Sequence, residues 1–141
     1  MQSLDGDVSG AAAGRHAGMF LPNAETLAGR RACRLAREIA SAFFAVPVPA
    51  IVSPSRAIAP VCEARHVAMY LAHVVFQVSL SSIAGAFGRD RTSVAHAVRR
   101  IEDRRDDKGF DAMLTRLEAL SHAVRTALEQ DEPRDGEAGV R

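Results

Sequence analysis

The stretch SLSSIAGAFGRDRTSVAHAVRRIED, residues 79–103, constrains the fold more than any other part of the chain. Leu80, Ile83, Ala84 and Phe87 recur at the three- and four-residue spacing of one helix face. Gly88 interrupts the run, and Val94, Ala97, Val98 and Ile101 then resume the same period. Ser79 and Asp90 each stand where a helix N-cap is wanted. The pattern predicts a short helix over 80–87, a glycine turn, and a second helix from Arg91 to about Arg105. Two helices joined so tightly, the short one first, make a helix-turn-helix candidate over 79–105.

The flanks keep the helical period. Ala32, Leu35, Ala36, Ile39, Ala40 and Phe43 form a stripe with Arg30, Arg31, Arg34, Arg37 and Glu38 largely off it, so a helix of about five turns is expected from Glu25 to Phe44. Pro47, Pro49, Pro54 and Pro60 make 46–60 an irregular connection with one short turn at Ala50–Ser53. Pro60 suits the first turn of a helix running to Gln77, with Ala64, Val67, Ala68, Leu71, Ala72 and Val75 inward. A last helix is expected over Phe110–Glu129, with Phe110, Met113, Leu114, Leu117, Val124 and Leu128 inward. No period-2 run reads as a strand. The fold class is therefore all-α, a helical bundle containing a helix-turn-helix. Residues 1–24, aperiodic and rich in Gly, Ala, Ser and Asp, read as a flexible arm before a domain at 25–130, and 131–141 as a disordered acidic tail.

Composition narrows the function classes. The 141 residues are 48% hydrophobic and 25% charged, with no apolar run long enough to span a bilayer and no signal-peptide pattern at the start. Cys33 and Cys62 lack partner spacing and read as small buried apolar residues in a reducing cytoplasm. The net charge of +1 conceals a strong asymmetry. Residues 30–55 carry four bases and one acid (+3), 56–105 eight bases and four acids (+4), and 106–141 five bases and nine acids (−4). A basic middle of this kind attracts a polyanion although the whole chain is nearly neutral. Of 18 bases only Lys108 is a lysine. That bias has a bland explanation in GC-rich codons, and a functional one in the bidentate fit of arginine to phosphate and guanine.

With its apolar stripe inward, the second helix leaves Arg91, Ser93, Ala95, His96, Arg99 and Arg100 over an exposed arc. In helix-turn-helix units that helix enters the major groove and its N-terminal residues reach base edges. Small Ser93 and Ala95 permit close approach, Thr92 or Ser93 can bond phosphate or base, and Arg91 can pair with guanine O6 and N7. The N-terminus of helix 80–87 presents backbone N–H groups that suit a phosphate.

The segments SPSR (53–56), EARHVAMYLA (63–72) and SLSSIAGAFGRDRTSVAHAVRRIE (79–102) resemble domain IV of the bacterial replication initiator DnaA. The family pattern is an Ala-Met-Tyr-Leu helix, a Ser-Leu-x-x-Ile-Gly-x-x-Phe helix, then Gly-Arg-Asp-His-Thr-Thr-Val and a His-Ala-x-x-Lys-Ile end. The likeness extends over roughly 25–130. It implies a double-stranded DNA partner at initiator-box-like sites, near the nucleoid, bound in the family as a monomer. It implies base reading by Asp90, Arg91, Thr92, Ser93 and His96, a minor-groove contact from Arg65, and phosphate contacts at Leu80 and Ser81; Arg89 and Arg99 join these candidates as bases of the same stretch. The chain departs from the pattern at Arg91, where histidine is usual, at the absent second glycine after Gly88, and at Ala57–Pro60, where bases are common. No GxxxxGK[ST] run occurs in the 141 residues, so no nucleotide or other cofactor is expected.

Each candidate has a plainer alternative. Arg104 and Arg105 read as a solvated face paired with Glu102, Asp103 and Asp106. Arg65 could instead bridge to Glu63 or Asp90, and His96 could pack rather than contact a base. Asp90 serves as a cap on either reading. His66 and His73 share a helix but have no third ligand, so they do not make a metal site. Tyr70 reads as core. With no nucleophile grouping, an enzyme is not expected. The two function classes are a sequence-specific DNA-binding module, regulating replication initiation or transcription, and a protein-interaction module that kept the fold and lost DNA binding.

Overall fold

The computed structural model describes residues 26–53 and 58–131; the arm at 1–24 and most of the acidic tail expected from the sequence lie outside the described residues. The described chain forms six α-helices: α1 (Leu27–Phe44), α2 (Val48–Val52), α3 (Ala59–Val74), α4 (Leu80–Phe87), α5 (Arg91–Asp103) and α6 (Lys108–Asp131), with a 3₁₀ turn at Arg104–Asp106 before α6. No strand occurs among the described residues. Each boundary has a local cause. The Thr26 hydroxyl accepts from the Gly29 N–H (2.9 Å) to start α1, and the left-handed Ala45 (φ 56°) ends it. Pro49 and Pro60 occupy the first turns of α2 and α3, where a missing N–H costs nothing. Helix α3 ends through Gln77 at φ 61°, and the Val78 carbonyl accepts from His73 Nδ1 at 2.9 Å.

Helix α3 is the centre of the molecule. Ala64 to Ala72 are buried without interruption except at half-buried His66. Helices α1, α2, α4 and α5 pack around it, and one contiguous core joins Ala36 and Ala40 of α1 to Ile51, Leu71, Ile83, Phe87, Val94 and Ile101. Val98 is also buried, so the predicted inward stripe of α5 faces α3 and α4. Burying each side chain of this size is worth about 1.5–3 kcal/mol.

Three expectations need correction. Phe43 is half exposed (50%): its ring packs edge-on against Phe44, 5.1 Å between centroids, rather than entering the core. Cys33 is buried as expected, whereas Cys62 is only partly so. Arg104 and Arg105 do not pair along their own helix. Arg104 Nη1 meets Glu63 Oε2 of α3 at 2.8 Å, with its guanidinium 3.8 Å above the Phe110 ring. Arg105 bonds Asp111 (2.6 Å), Thr115 (2.9 Å), Glu118 (2.8 Å) and the Tyr70 hydroxyl (2.8 Å). The 3₁₀ turn redirects both side chains off the α5 axis, and together they fasten α6 to α3.

Candidate nucleic-acid interface

The α4–Gly88–α5 unit is built by short-range chemistry. Ser79 Oγ accepts from the Ser82 N–H (3.1 Å), and Gly88 closes α4 at φ 66°, a left-handed conformation in which only glycine avoids a Cβ penalty. Asp90 then caps α5, its Oδ1 accepting from the Ser93 N–H at 2.7 Å. That hydrogen bond holds the Asp90 carboxyl below its ordinary pKa. The first turn of α5 is therefore fixed in place before any partner arrives.

On α5, Val94, Ala97, Val98 and Ile101 are buried, while Arg91, Thr92, Ser93, His96, Arg99 and Arg100 are exposed. Asp90 and Ser81 are exposed, and Leu80 is half-buried against the core. The exposed ones among them lie on the first turn of α5, on the arc below it, and at the N-terminus of α4. Near them lies His66 of α3. Burial, then the charges of Arg100, Arg65, His96 and Arg89, hold its imidazole below the ordinary histidine value. The α3 residues Arg65 and His66 thus lie within electrostatic reach of α5 and the turn before it. Arg65 was named from the sequence as a contact candidate, whereas His66 stood out there only as half of a histidine pair.

Two of the expected contact residues have partners inside the protein. Arg65 is 6% exposed, and its guanidinium donates to the carbonyls of Ile51 (2.7 Å), Ala50 (3.0 Å) and Ser53 (3.2 Å). It pairs with neither Glu63, which bonds Arg104, nor Asp90, which caps α5. Arg89 Nη2 donates to the same Ser53 carbonyl at 2.9 Å. Both cations therefore satisfy carbonyls at the C-terminal end of α2, which have no partner within so short a helix. They tie the connection before α3 to the residue that precedes the α5 cap. Desolvation and the nearby Arg89 lower the Arg65 pKa, and a guanidinium stays charged through such a shift.

Comparison with known proteins bears directly on this surface. The family described as bacterial dnaA protein helix-turn-helix matches residues 34–101. The chromosomal replication initiator protein DnaA of Paraburkholderia phymatum is 44% identical over 73 residues, 51% of this chain and 13% of that protein. The DnaA of Aquifex aeolicus is 40% identical over 83 residues, 57% of this chain and 21% of that one. The chain thus spans about an eighth to a fifth of the length of these relatives. A crystal structure of a DNA replication initiation factor superposes with a TM-score of 0.62 at 35% identity, covering 68% of this chain and 30% of the other. The all-α fold, the order of motifs and the superposition agree: residues 34–101, which hold every contact candidate named above, are a helix-turn-helix domain of the bacterial DnaA family.

Proposed function

We propose that this protein binds double-stranded DNA in a sequence-specific way, with α5 in the major groove, and that it acts on initiator-box-like sites in replication initiation or transcription. One observation carries the reading. In a domain of the DnaA helix-turn-helix family, the capped first turn of α5 exposes Arg91, Thr92 and Ser93, with His96 and Arg99 one and two turns on. Asp90, Arg91, Thr92, Ser93 and His96 read bases, and Arg99 meets phosphate. Leu80 and Ser81 present backbone N–H groups of α4 to a second phosphate. Arg65 and Arg89, bonded to the end of α2, position α5 as they are placed here; release of Ser53 would let Arg89 turn outward.

A second reading, a protein-interaction module, is favoured by the apolar patch of Phe43 (50% exposed) and Leu120 (53% exposed) beside Met113. A gel shift separates the two. Duplex carrying initiator boxes should be retarded, and scrambled duplex of the same length and composition should be bound far less well. Equal retardation of both duplexes would leave general DNA affinity without specificity. No retardation of either would favour the interaction module.

A further inference from the structure

Beside the surface just described runs a cleft of about 1000 Å³ between α1 and α4. Its α1 wall carries Arg30, Arg34 and Arg37, and its α4 wall Ser81, Ser82 and Gly85. No aspartate or glutamate lines it among the described residues. Bases of α1 placed so close together repel one another. Arg37 is held over the Phe87 ring, 5.3 Å from its centroid, and its Nη1 is buried without a hydrogen-bond partner among the described residues. A buried cationic donor in that state is costly, and a rotation of the Arg37 side chain toward the cleft would bring its guanidinium to an acceptor held there. The Ser82 side chain, by contrast, is bonded to Ser79, so it shapes the wall and holds the start of α4 still.

We propose that this cleft binds backbone phosphates of duplex DNA outside the recognised box, next to the phosphate held at the N-terminus of α4. The inference rests on the DNA-binding reading above. Ser81 joins the two surfaces, because it belongs both to the start of α4 and to the cleft wall. A phosphodiester strand crossing α4 would therefore pass from the α4 N-terminus to the α1 arginines. Arg34 and Arg37, one turn apart on α1, are placed to take phosphates there, with Arg30 one turn further along. These contacts carry no base preference. They lengthen the footprint and raise affinity for boxes that lie within longer duplex.

The test compares a duplex trimmed to the box with one extended by one helical turn, about 10 bp, on each side. Arg34→Glu and Gly85→Glu each place a carboxylate in the cleft. A Cβ at Gly85 meets nothing within 4 Å, so a side chain can start there without a backbone shift, and Gly85→Ala serves as the uncharged control. Wild type and Gly85→Ala should bind the extended duplex more tightly and with a steeper salt slope. In both carboxylate variants the extended-to-trimmed affinity ratio should fall to about one, with the slope reduced by about 0.9 for each phosphate no longer held. Circular dichroism melting reports that each variant is folded. Equal weakening of both duplexes, or no flank effect in the wild type, would overturn the cleft proposal and leave box binding intact. Failure of wild type to bind either duplex would overturn both readings. If the cleft takes a small phosphate compound instead, titration with pyrophosphate alone would shift the NMR signals of Arg34 and Arg37 without any flank effect, and that too would overturn it.

Discussion

Arginine 91 is the residue at which this chain differs most consequentially from the Gly-Arg-Asp-His-Thr-Thr pattern it otherwise resembles. Histidine presents one neutral donor at such a position, whereas a guanidinium presents a planar fork that matches guanine O6 and N7 together. Arg91 is exposed on the first turn of a capped helix, where reach toward a groove floor is greatest. We expect a G·C pair to be preferred opposite it. Arg91→His should move the preference back toward the usual initiator box by about 1–3 kcal/mol at that one base pair. Randomised-site selection run on both proteins measures this, and identical selected motifs would show that Arg91 reads no base. The exposure of Arg91 was legible in the sequence because it follows from helical period and the Asp90 cap. The partners of Arg65 were not legible there. The carbonyls that Arg65 satisfies lie 12 to 15 residues away in α2, and no local pattern announces a bond across that distance.

At the scale of the elements, α4 and the start of α5 were legible to the residue, since Ser79, Gly88 and Asp90 mark ends that depend on neighbours within a few positions. The ends of α3 and α5 were less so. Helix α3 stops at Val74 rather than Gln77, and Val75, Phe76 and Val78 are buried in the turn that follows. Helix α5 gives way to a 3₁₀ turn because Arg104 and Arg105 gain partners on α3 and α6 that a straight helix would not reach. The attachment of α6 depends on this junction. Tyr70 is buried, its hydroxyl donating to Glu118 at 2.7 Å and accepting from Arg105, and burial with the Glu118 bond pushes its pKa up to about 12. Tyr70→Phe should cost about 1 kcal/mol, since Arg105 and Glu118 keep each other as partners. Arg105→Ala should cost more, about 1.5–3 kcal/mol, because it leaves the Tyr70 and Glu118 oxygens short of a donor at once. A urea double-mutant cycle on the pair should return a coupling energy above the additive error. Strict additivity would mean that the hydroxyl and the guanidinium do not act as one unit.

For the whole molecule, charge is distributed along the same division as structure. Residues 34–101, the family domain, hold eight bases and three acids, a balance of +5, although the chain totals +1. The compensating acids lie mostly beyond Arg105, where residues 106–141 sum to −4. Part of that acidity is used internally: Asp111 and Glu118 hold Arg105, and Glu129 pairs with Arg125. The basic face of α5 and the acidic later segment are therefore separate features of the chain, and the near-zero total says little about the local charge that a polyanion would meet. Affinity should fall steeply with salt, because each arginine–phosphate contact releases condensed counterions. With about four to six such contacts, the slope of log K against log salt should lie near −3.6 to −5.4, shallower than the roughly −10 of a large dimeric repressor. Fluorescence anisotropy on a labelled duplex between about 50 and 200 mM salt covers the range in which this change is large. Arg99→Ala should lower affinity for box and non-box duplex alike and flatten the slope by about 0.9, whereas Arg91→His should alter the choice of box. Binding that does not change over that salt range would contradict phosphate contact by the basic face, whatever sequence the protein selects.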